Sequence, residues 1–103
     1  MAVVKRMQVA HYCSCEVCRG SGFTKTIMGT MPKFGTVLAH SDYPLGSKLT
    51  VEEYYDDYGL KEFTIEDRPV DGVRIPRDML YVWVENHREV LVRGVLLVKV
   101  TFL

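Results

Sequence analysis

The stretch from residue 48 to residue 67, KLTVEEYYDDYGLKEFTIED, carries the clearest folding signal in the chain. Both halves are rich in β-branched and aromatic residues, and in the second half Phe63 and Ile65 alternate with polar neighbours. Between the halves, DDYG supplies the Asp and Gly that close tight turns. This stretch therefore predicts a β-hairpin with one buried face.

The remaining segments extend the pattern of short strands separated by turns. Further strands are predicted for MAVVKRMQVAHY, TVLA and MLYVWV, and loops for GSGFTKTIMGTMPKFG and RPVDGVRIPR, which are rich in Gly or Pro. The one predicted helix is NHREVLVRG, which Gly94 ends. VLLVKVTFL is an almost continuous apolar strand, so we expect both its faces to be covered. So many short strands in 103 residues predict a single all-β domain, a compact β-barrel.

Composition narrows the possible partners. Thirteen acidic side chains balance thirteen basic ones, so net charge gives no indication of nucleic acid or an anionic membrane. No apolar stretch is long enough to span a bilayer. The start, MAVVKRMQVAHYC, lacks the apolar segment of a signal peptide, so we expect no export by the ordinary secretory route. Nucleotide-binding and other cofactor fingerprints are absent from the sequence, and we expect no cofactor.

Three cysteines lie together in HYCSCEVCRG. Cys13, Cys15 and Cys18, with His11 just before them, could supply thiolates and an imidazole to zinc. The second ligand pair of a typical structural zinc site is missing, so the simpler interpretation is a tight loop with buried or half-buried thiols and no metal. A disulfide between Cys13 and Cys18 would close a small loop in an oxidising compartment.

Three titratable residues stand where predicted strands begin or end: His40, Asp67 and Asp78. Flanking apolar residues would desolvate such a carboxyl group and raise its pKa, which suits a general acid. The adjacent Arg68 and Arg77 would lower the pKa instead. The structural alternative is that Asp67 and Arg68 form a solvated turn pair and that His40 is a hydrogen-bonded structural histidine.

Two other groups of side chains permit a functional and a structural interpretation. An acidic group at the predicted hairpin could hold a hard cation or could be a solvated turn, and it lacks EF-hand spacing; it comprises Glu52, Glu53, Asp56 and Asp57. Aromatic residues could stack on sugars or could pack in the core and rim, with packing favoured for the tryptophan; they are Tyr43, Tyr54, Tyr55, Tyr58 and Trp83.

Four segments together resemble the 3D domain family, named for three aspartates. They are HYCSCEVCRGSGFT, TVLAHSDYPLGSKL, FTIEDR and ENHREVLVRGVLLVKVTFL, which follow one another in the family's order from about Met7 to Leu103. The family fold is a double-psi β-barrel, related to the lytic transglycosylase MltA, to RlpA and to expansins. The resemblance implies a small six-stranded double-psi β-barrel with one short helix, spanning residues 1–103.

The resemblance also implies cleavage of peptidoglycan glycan strands. In a lytic transglycosylase an aspartic acid protonates the glycosidic oxygen, and its carboxylate then takes a proton from the muramyl C6 hydroxyl to close a 1,6-anhydro ring. Water does not attack, so the second carboxylate of a hydrolase is not required. The acid must be protonated when substrate binds, which favours a raised pKa.

Carried over residue by residue, the family's first aspartate falls on His40, where RlpA-type barrels also have an Ala-His pair before the same turn. The second falls on Asp67, although Pro69 follows where the family has glycine. The third falls on Asp78 when counted forward and on Tyr81 when counted back from the predicted helix. We prefer Asp78, because a tyrosine with a pKa near 10 is a poor acid for this reaction.

The implied site therefore has His40, Asp67 and Asp78 as catalytic residues and Arg68, Tyr43 and Tyr81 as substrate-binding residues. We expect a muralytic enzyme of phage or prophage origin, in the virion or released from the host cytoplasm at lysis, acting at the cell wall. The alternatives are a glycan-binding or virion structural barrel that has lost the catalytic aspartates, and a small metal-binding protein that uses the cysteine loop.

Overall fold

A computed structural model describes residues 3–15, 25–69 and 74–103. In chain order its elements are β1 (Val3–Tyr12), β2 (Thr36–Ala39), β3 (Lys48–Asp56), β4 (Gly59–Asp67), β5 (Met79–Trp83), α1 (His87–Arg93) and β6 (Leu96–Phe102). For the residues in these ranges, the expectation of an all-β fold with six strands and one short helix is confirmed. Within the described ranges, no helix is both long and apolar enough to cross a membrane.

The six strands close into a mixed barrel in the order β1-β5-β2-β4-β3-β6. β1 pairs in parallel with β5, and β2 pairs in parallel with β4, while the other neighbouring strands are antiparallel. β6 closes the barrel by pairing with β1 from Leu96 opposite Val9 to Phe102 opposite Val3. Closure leaves none of the six strands with an unpaired edge along its whole length, which removes a route to aggregation.

The predicted hairpin is the β3–β4 pair. Its turn is closed between Asp56 and Gly59, where the Asp56 carboxylate accepts a hydrogen bond from the Tyr58 amide at 2.8 Å and Gly59 has a φ of 121°. Earlier in β3 the register shifts between Thr50 and Tyr55, and within this shift Glu53 has a φ of 99°. A left-handed non-glycine residue at a register shift marks a local irregularity that bends the strand.

One face of every strand lines a single core. Its fully or almost fully buried members are Met7, Val9, Val37, Ala39, Leu49, Val51, Tyr54, Phe63, Ile65, Leu80, Val82, Val98 and Val100. The predicted inward orientation of Phe63 and Ile65 is confirmed. The expectation that β6 is covered on both faces is wrong, because Leu97 is 60% exposed and only Val98 and Val100 of that strand are buried. β6 pairs antiparallel on both sides, and such strands can leave one face in water.

The end of β4 contains a register shift that sets the position of Asp67. Val37 pairs with Ile65, but the next residue, Leu38, pairs with Asp67, so Glu66 is an extra residue on β4. Burial nevertheless alternates to the end of the strand, so Asp67 is buried like Phe63 and Ile65. The shift changes the cross-strand partner of Asp67, which is Leu38.

A buried polar contact joins β1, β3 and the end of α1. Nδ1 of His11 lies 2.8 Å from the carbonyl oxygen of Gly94 and donates to it, so Nε2 accepts the hydrogen bond from the Tyr54 hydroxyl. His11 and Tyr54 are both buried. Burial lowers the pKa of His11 below its ordinary 6.5, and the cationic Arg93 adds to this, while the Gly94 hydrogen bond and Glu89 oppose it.

We expect the neutral His11 ring to make the protein more stable at neutral than at acidic pH. Because the folded-state pKa is below 6.5, the unfolded chain binds a proton at a pH where the folded protein does not. This contribution is complete above pH 6.5 and is lost as the pH falls through the lowered pKa. His11→Gln should reduce the pH dependence of the unfolding free energy between pH 7.5 and 5, by up to about 1.4 kcal/mol per pH unit. Urea unfolding at several pH values measures this slope. An unchanged slope in His11→Gln would contradict a lowered pKa of His11 in the folded protein.

Candidate functional site

His40 lies at the end of β2, held by the turn that follows it. The His40 carbonyl accepts a hydrogen bond from the Tyr43 amide at 3.0 Å, and its Nδ1 accepts one from the Asp42 amide at 3.0 Å. Gly46, with a φ of 89°, completes the Pro-Leu-Gly turn, and its amide donates to the Ile65 carbonyl at 2.7 Å. Since Nδ1 is an acceptor, Nε2 carries the proton of the neutral ring and is the nitrogen that can donate to a ligand.

The guanidinium of Arg68 fixes the segment that carries His40. It donates to the carbonyl oxygen of Ala39 at 3.3 Å and to that of Tyr43, so it bridges the residues on either side of His40. Arg68 was predicted to bind substrate, but these contacts give it a positioning role as well. The turn and this bridge together explain why a histidine at the end of a short strand is held in place.

A surface depression of about 550 Å³ lies beside this segment, a volume within the usual range for small-molecule sites. We call it the His40 depression; it is lined by Ile27, His40, Ser41, Arg68, Pro69, Arg74 and Ile75. Its wall combines apolar side chains with hydrogen-bond donors. Among the described lining residues there is no carboxyl group.

Asp67 lies next to this depression but is not exposed in it. Its side chain is 1% exposed. Oδ1 accepts hydrogen bonds from the Ile27 amide at 3.1 Å and the Arg68 amide at 2.9 Å, and Oδ2 accepts one from the Tyr12 hydroxyl at 3.3 Å. Because Ile27 and Arg68 line the depression, the carboxyl group stands directly behind its wall. These contacts make Asp67 an organiser of the site.

Asp78, the other predicted catalytic carboxylate, lies in a different place. It is exposed, just before β5, and lines a separate depression of about 310 Å³. The other residues lining that depression are Lys5, Arg6, Met7, Tyr43 and Arg77. Tyr43, predicted to bind substrate, therefore accompanies Asp78 rather than His40. Its hydroxyl donates to the Arg77 carbonyl at 2.8 Å, and its ring stacks on Phe102.

Tyr81, the alternative for the third aspartate position, lies within β5. It pairs with Ala10 on one side and with Leu38 on the other, and Leu38 pairs with Asp67. Tyr81 and Asp67 therefore occupy one cross-strand row, two strands apart, whereas Asp78 precedes the strand. The structure thus brings His40, Arg68 and Asp67 together and places Asp78 elsewhere.

The remaining candidates are dispersed over the molecule. Tyr54 is buried in the core, Tyr55 and Tyr58 are exposed on the hairpin, and the Trp83 indole donates to the Ser14 hydroxyl at 3.0 Å. The acidic side chains Glu53, Asp56 and Asp57 are exposed around the same hairpin and Glu52 is half-buried. The tyrosines and the tryptophan that were candidates for sugar stacking therefore do not form one surface.

Of the proposed zinc ligands of the cysteine loop, His11 already has a partner on each ring nitrogen. Both ring nitrogens of His11 are engaged by Gly94 and Tyr54, whereas Cys13 and Cys15 follow β1 in a neighbouring loop. Cys18, and with it the proposed Cys13–Cys18 disulfide, lies outside the described residues.

Of the residues that line the His40 depression, sequence reasoning assigned a role only to His40 and Arg68 and missed Ile27, Ser41, Pro69, Arg74 and Ile75. Ser41 could have been included because it follows His40 directly. Ile27 and Arg74 lie in loops, where no periodicity indicates which side chains face a site.

Comparisons with known proteins add no assignment. A scan against models of protein families finds no match to this chain. A search of curated proteins likewise finds no similar sequence. The 3D domain resemblance therefore stays a prediction.

Replacing Arg68 tests its bridging role. Arg68→Gln removes charged hydrogen bonds to two carbonyl groups and should lower the free energy of unfolding by about 1–3 kcal/mol. Arg77→Gln is the matched control, because Arg77 is 77% exposed and its ion pair with Asp42 lies at the surface; it should cost less than about 1 kcal/mol. Urea unfolding measures both, and equal losses in the two variants would refute the bridging role.

Proposed function

We propose that this barrel binds glycan strands of peptidoglycan and that the His40 depression is its saccharide site. The proposal rests on the 3D domain resemblance for the type of ligand and on the depression for the place. The observation that favours binding over cleavage is the environment of Asp67. Its carboxyl group is buried behind the wall of the depression and accepts at least three hydrogen bonds, so it is not exposed to a bound glycan. A general acid has to reach the glycosidic oxygen, directly or through one water.

The lining of the depression suits a polar ligand that accepts hydrogen bonds. Nε2 of His40 can donate to a sugar hydroxyl, and the hydroxyl of Ser41 can both donate and accept. Arg74 is exposed at the rim and adds a cationic donor. Ile27, Pro69 and Ile75 supply apolar surface for the C–H faces of a sugar ring. Peptidoglycan glycans offer hydroxyl, acetamido and carboxyl groups that match these donors.

Binding to purified, insoluble peptidoglycan tests this proposal. The wild-type chain should co-sediment with it, and His40→Ala and Arg74→Ala should each weaken binding by about tenfold, the effect of losing roughly 1.4 kcal/mol of hydrogen bonding. Lys99→Ala, an exposed cation on β6, is the matched control and should bind as the wild type does. Absence of co-sedimentation, or equal affinity in all variants, would rule out the depression as the site.

Glycan cleavage is a second candidate, favoured by the position of Asp67 directly behind Ile27 and Arg68. A displacement of the Ile27 segment would bring this carboxyl group to the depression. In that case Asp67 would protonate the leaving oxygen and reclaim a proton from the C6 hydroxyl, as the family resemblance implies. His40 would line the site, and Asp78 would need to approach it from the separate depression that it lines.

Product analysis separates binding from cleavage. We expect incubation with glycan strands to yield no 1,6-anhydro products by mass spectrometry, and Asp67→Asn to bind as well as the wild type does. Asparagine keeps Oδ1 as the acceptor for the Ile27 and Arg68 amides, so the fold should persist. Anhydro products that disappear in Asp67→Asn or in Asp78→Asn, with binding retained, would establish the enzyme instead.

A further inference from the structure

Three metal-ligating atoms converge at one end of the barrel, away from the His40 depression. Sγ of Cys13, Sγ of Cys15 and Nδ1 of His87 all lie within 4.8 Å of one another. The two sulfur atoms are 3.1 Å apart, and Nδ1 of His87 is 3.5 Å from the Cys15 sulfur. Two thiols and an imidazole are the donors that zinc prefers over hard cations.

The parallel pairing of β1 with β5 brings these ligands together. The two strands run in register to Tyr12 opposite Trp83, and the Val84 amide continues the ladder by donating to the Tyr12 carbonyl at 2.8 Å. Parallel strands leave a sheet at the same end. Cys13 follows β1 directly, and His87 begins α1 shortly after β5, so 72 positions of sequence separate His87 from Cys15 without separating them in space.

Hydrogen bonds of the neighbouring residues fix both the cysteine segment and the start of α1. Cys13 is 1% exposed, while Cys15 and His87 are half-buried. His87 is the first residue of α1, whose start is fixed by the Asn86 side chain accepting from the Glu89 amide at 3.0 Å. On the cysteine side, the hydrogen bond from Trp83 to Ser14 ties the intervening residue to β5. Ligands on fixed elements lose little entropy when a metal binds.

We propose that Cys13, Cys15 and His87, with a water molecule as the fourth ligand, bind a zinc ion that joins the end of β1 to the start of α1. Tetrahedral zinc separates two thiolate sulfurs by about 3.8 Å and a sulfur from an imidazole nitrogen by about 3.5 Å. The Cys15–His87 separation already matches, and the two sulfurs need to move apart by roughly 0.7 Å. One Zn²⁺ displaces one proton from each thiol, so two protons are released and no atom changes oxidation state.

This ligand set differs from the one that sequence spacing suggested. Both ring nitrogens of His11 are engaged by Gly94 and Tyr54, so the imidazole ligand comes from His87. The site stands apart from the proposed glycan function, because none of its three residues lines the His40 depression. Its role is structural: zinc bound to the folded chain and not to the unfolded one raises stability.

Metal content of the full chain, purified under reducing conditions without chelator, tests the proposal. We expect about one zinc ion per chain by elemental analysis. Titration with cobalt(II) as a spectroscopic probe should give thiolate-to-metal charge-transfer absorption. Cys15→Ser and His87→Ala should each weaken zinc affinity more than about 100-fold, since loss of an outer-shell partner alone costs 10–100-fold. Chelator should lower the melting temperature of the wild type but not of these variants.

Two controls keep the result specific to these residues. Arg88→Ala, an exposed neighbour on α1, should bind zinc like the wild type, and so should His11→Gln. Circular dichroism checks that Cys15→Ser and His87→Ala are folded, which their half-buried positions favour. The proposal is overturned if the reduced wild type holds no zinc, if His87→Ala retains it, or if His11→Gln loses it while His87→Ala does not.

Discussion

Closure of the six-stranded barrel is the constraint on which the other features depend. β6 reaches β1 and completes the ring, and the two parallel pairs, β1 with β5 and β2 with β4, fix which strand ends meet. Most side chains of the core are fully buried in this arrangement, as in a close-packed protein interior. Within the described residues, the His40 depression and the cluster of Cys13, Cys15 and His87 both lie where the chain leaves paired strands.

Each of the two parallel strand pairs brings a different group of polar side chains together at its end. Where β2 and β4 end side by side, His40 and Asp67–Arg68 leave their strands together and Arg68 bridges the two segments. Where β1 and β5 end, the cysteines meet the start of α1. The geometry is the same in both cases: residues distant in sequence become neighbours because parallel strands finish at one end.

Buried polar groups in this small domain hold specific segments in place. Asp67 joins the segment containing Ile27 to β4 and β1, and His11 joins β1 to Tyr54 and the end of α1. A buried polar group that loses its partner carries the full cost of desolvation, so these contacts select one arrangement of the loops. The same contacts fix the Asp67 carboxyl group behind the residues that line the His40 depression.

The sequence by itself determined the all-β class, the hairpin around DDYG, the short helix ended by Gly94 and the alternation that buries Phe63 and Ile65. These features depend on local periodicity and turn chemistry, which act over a few residues. Only the tertiary structure decided that Asp67 contacts Tyr12 and the Ile27 amide, that Asp78 lies in another depression and that His87 joins Cys13 and Cys15. Those outcomes depend on the pairing of strands that are distant in sequence and on the loops that follow them, which have no local signal in the sequence.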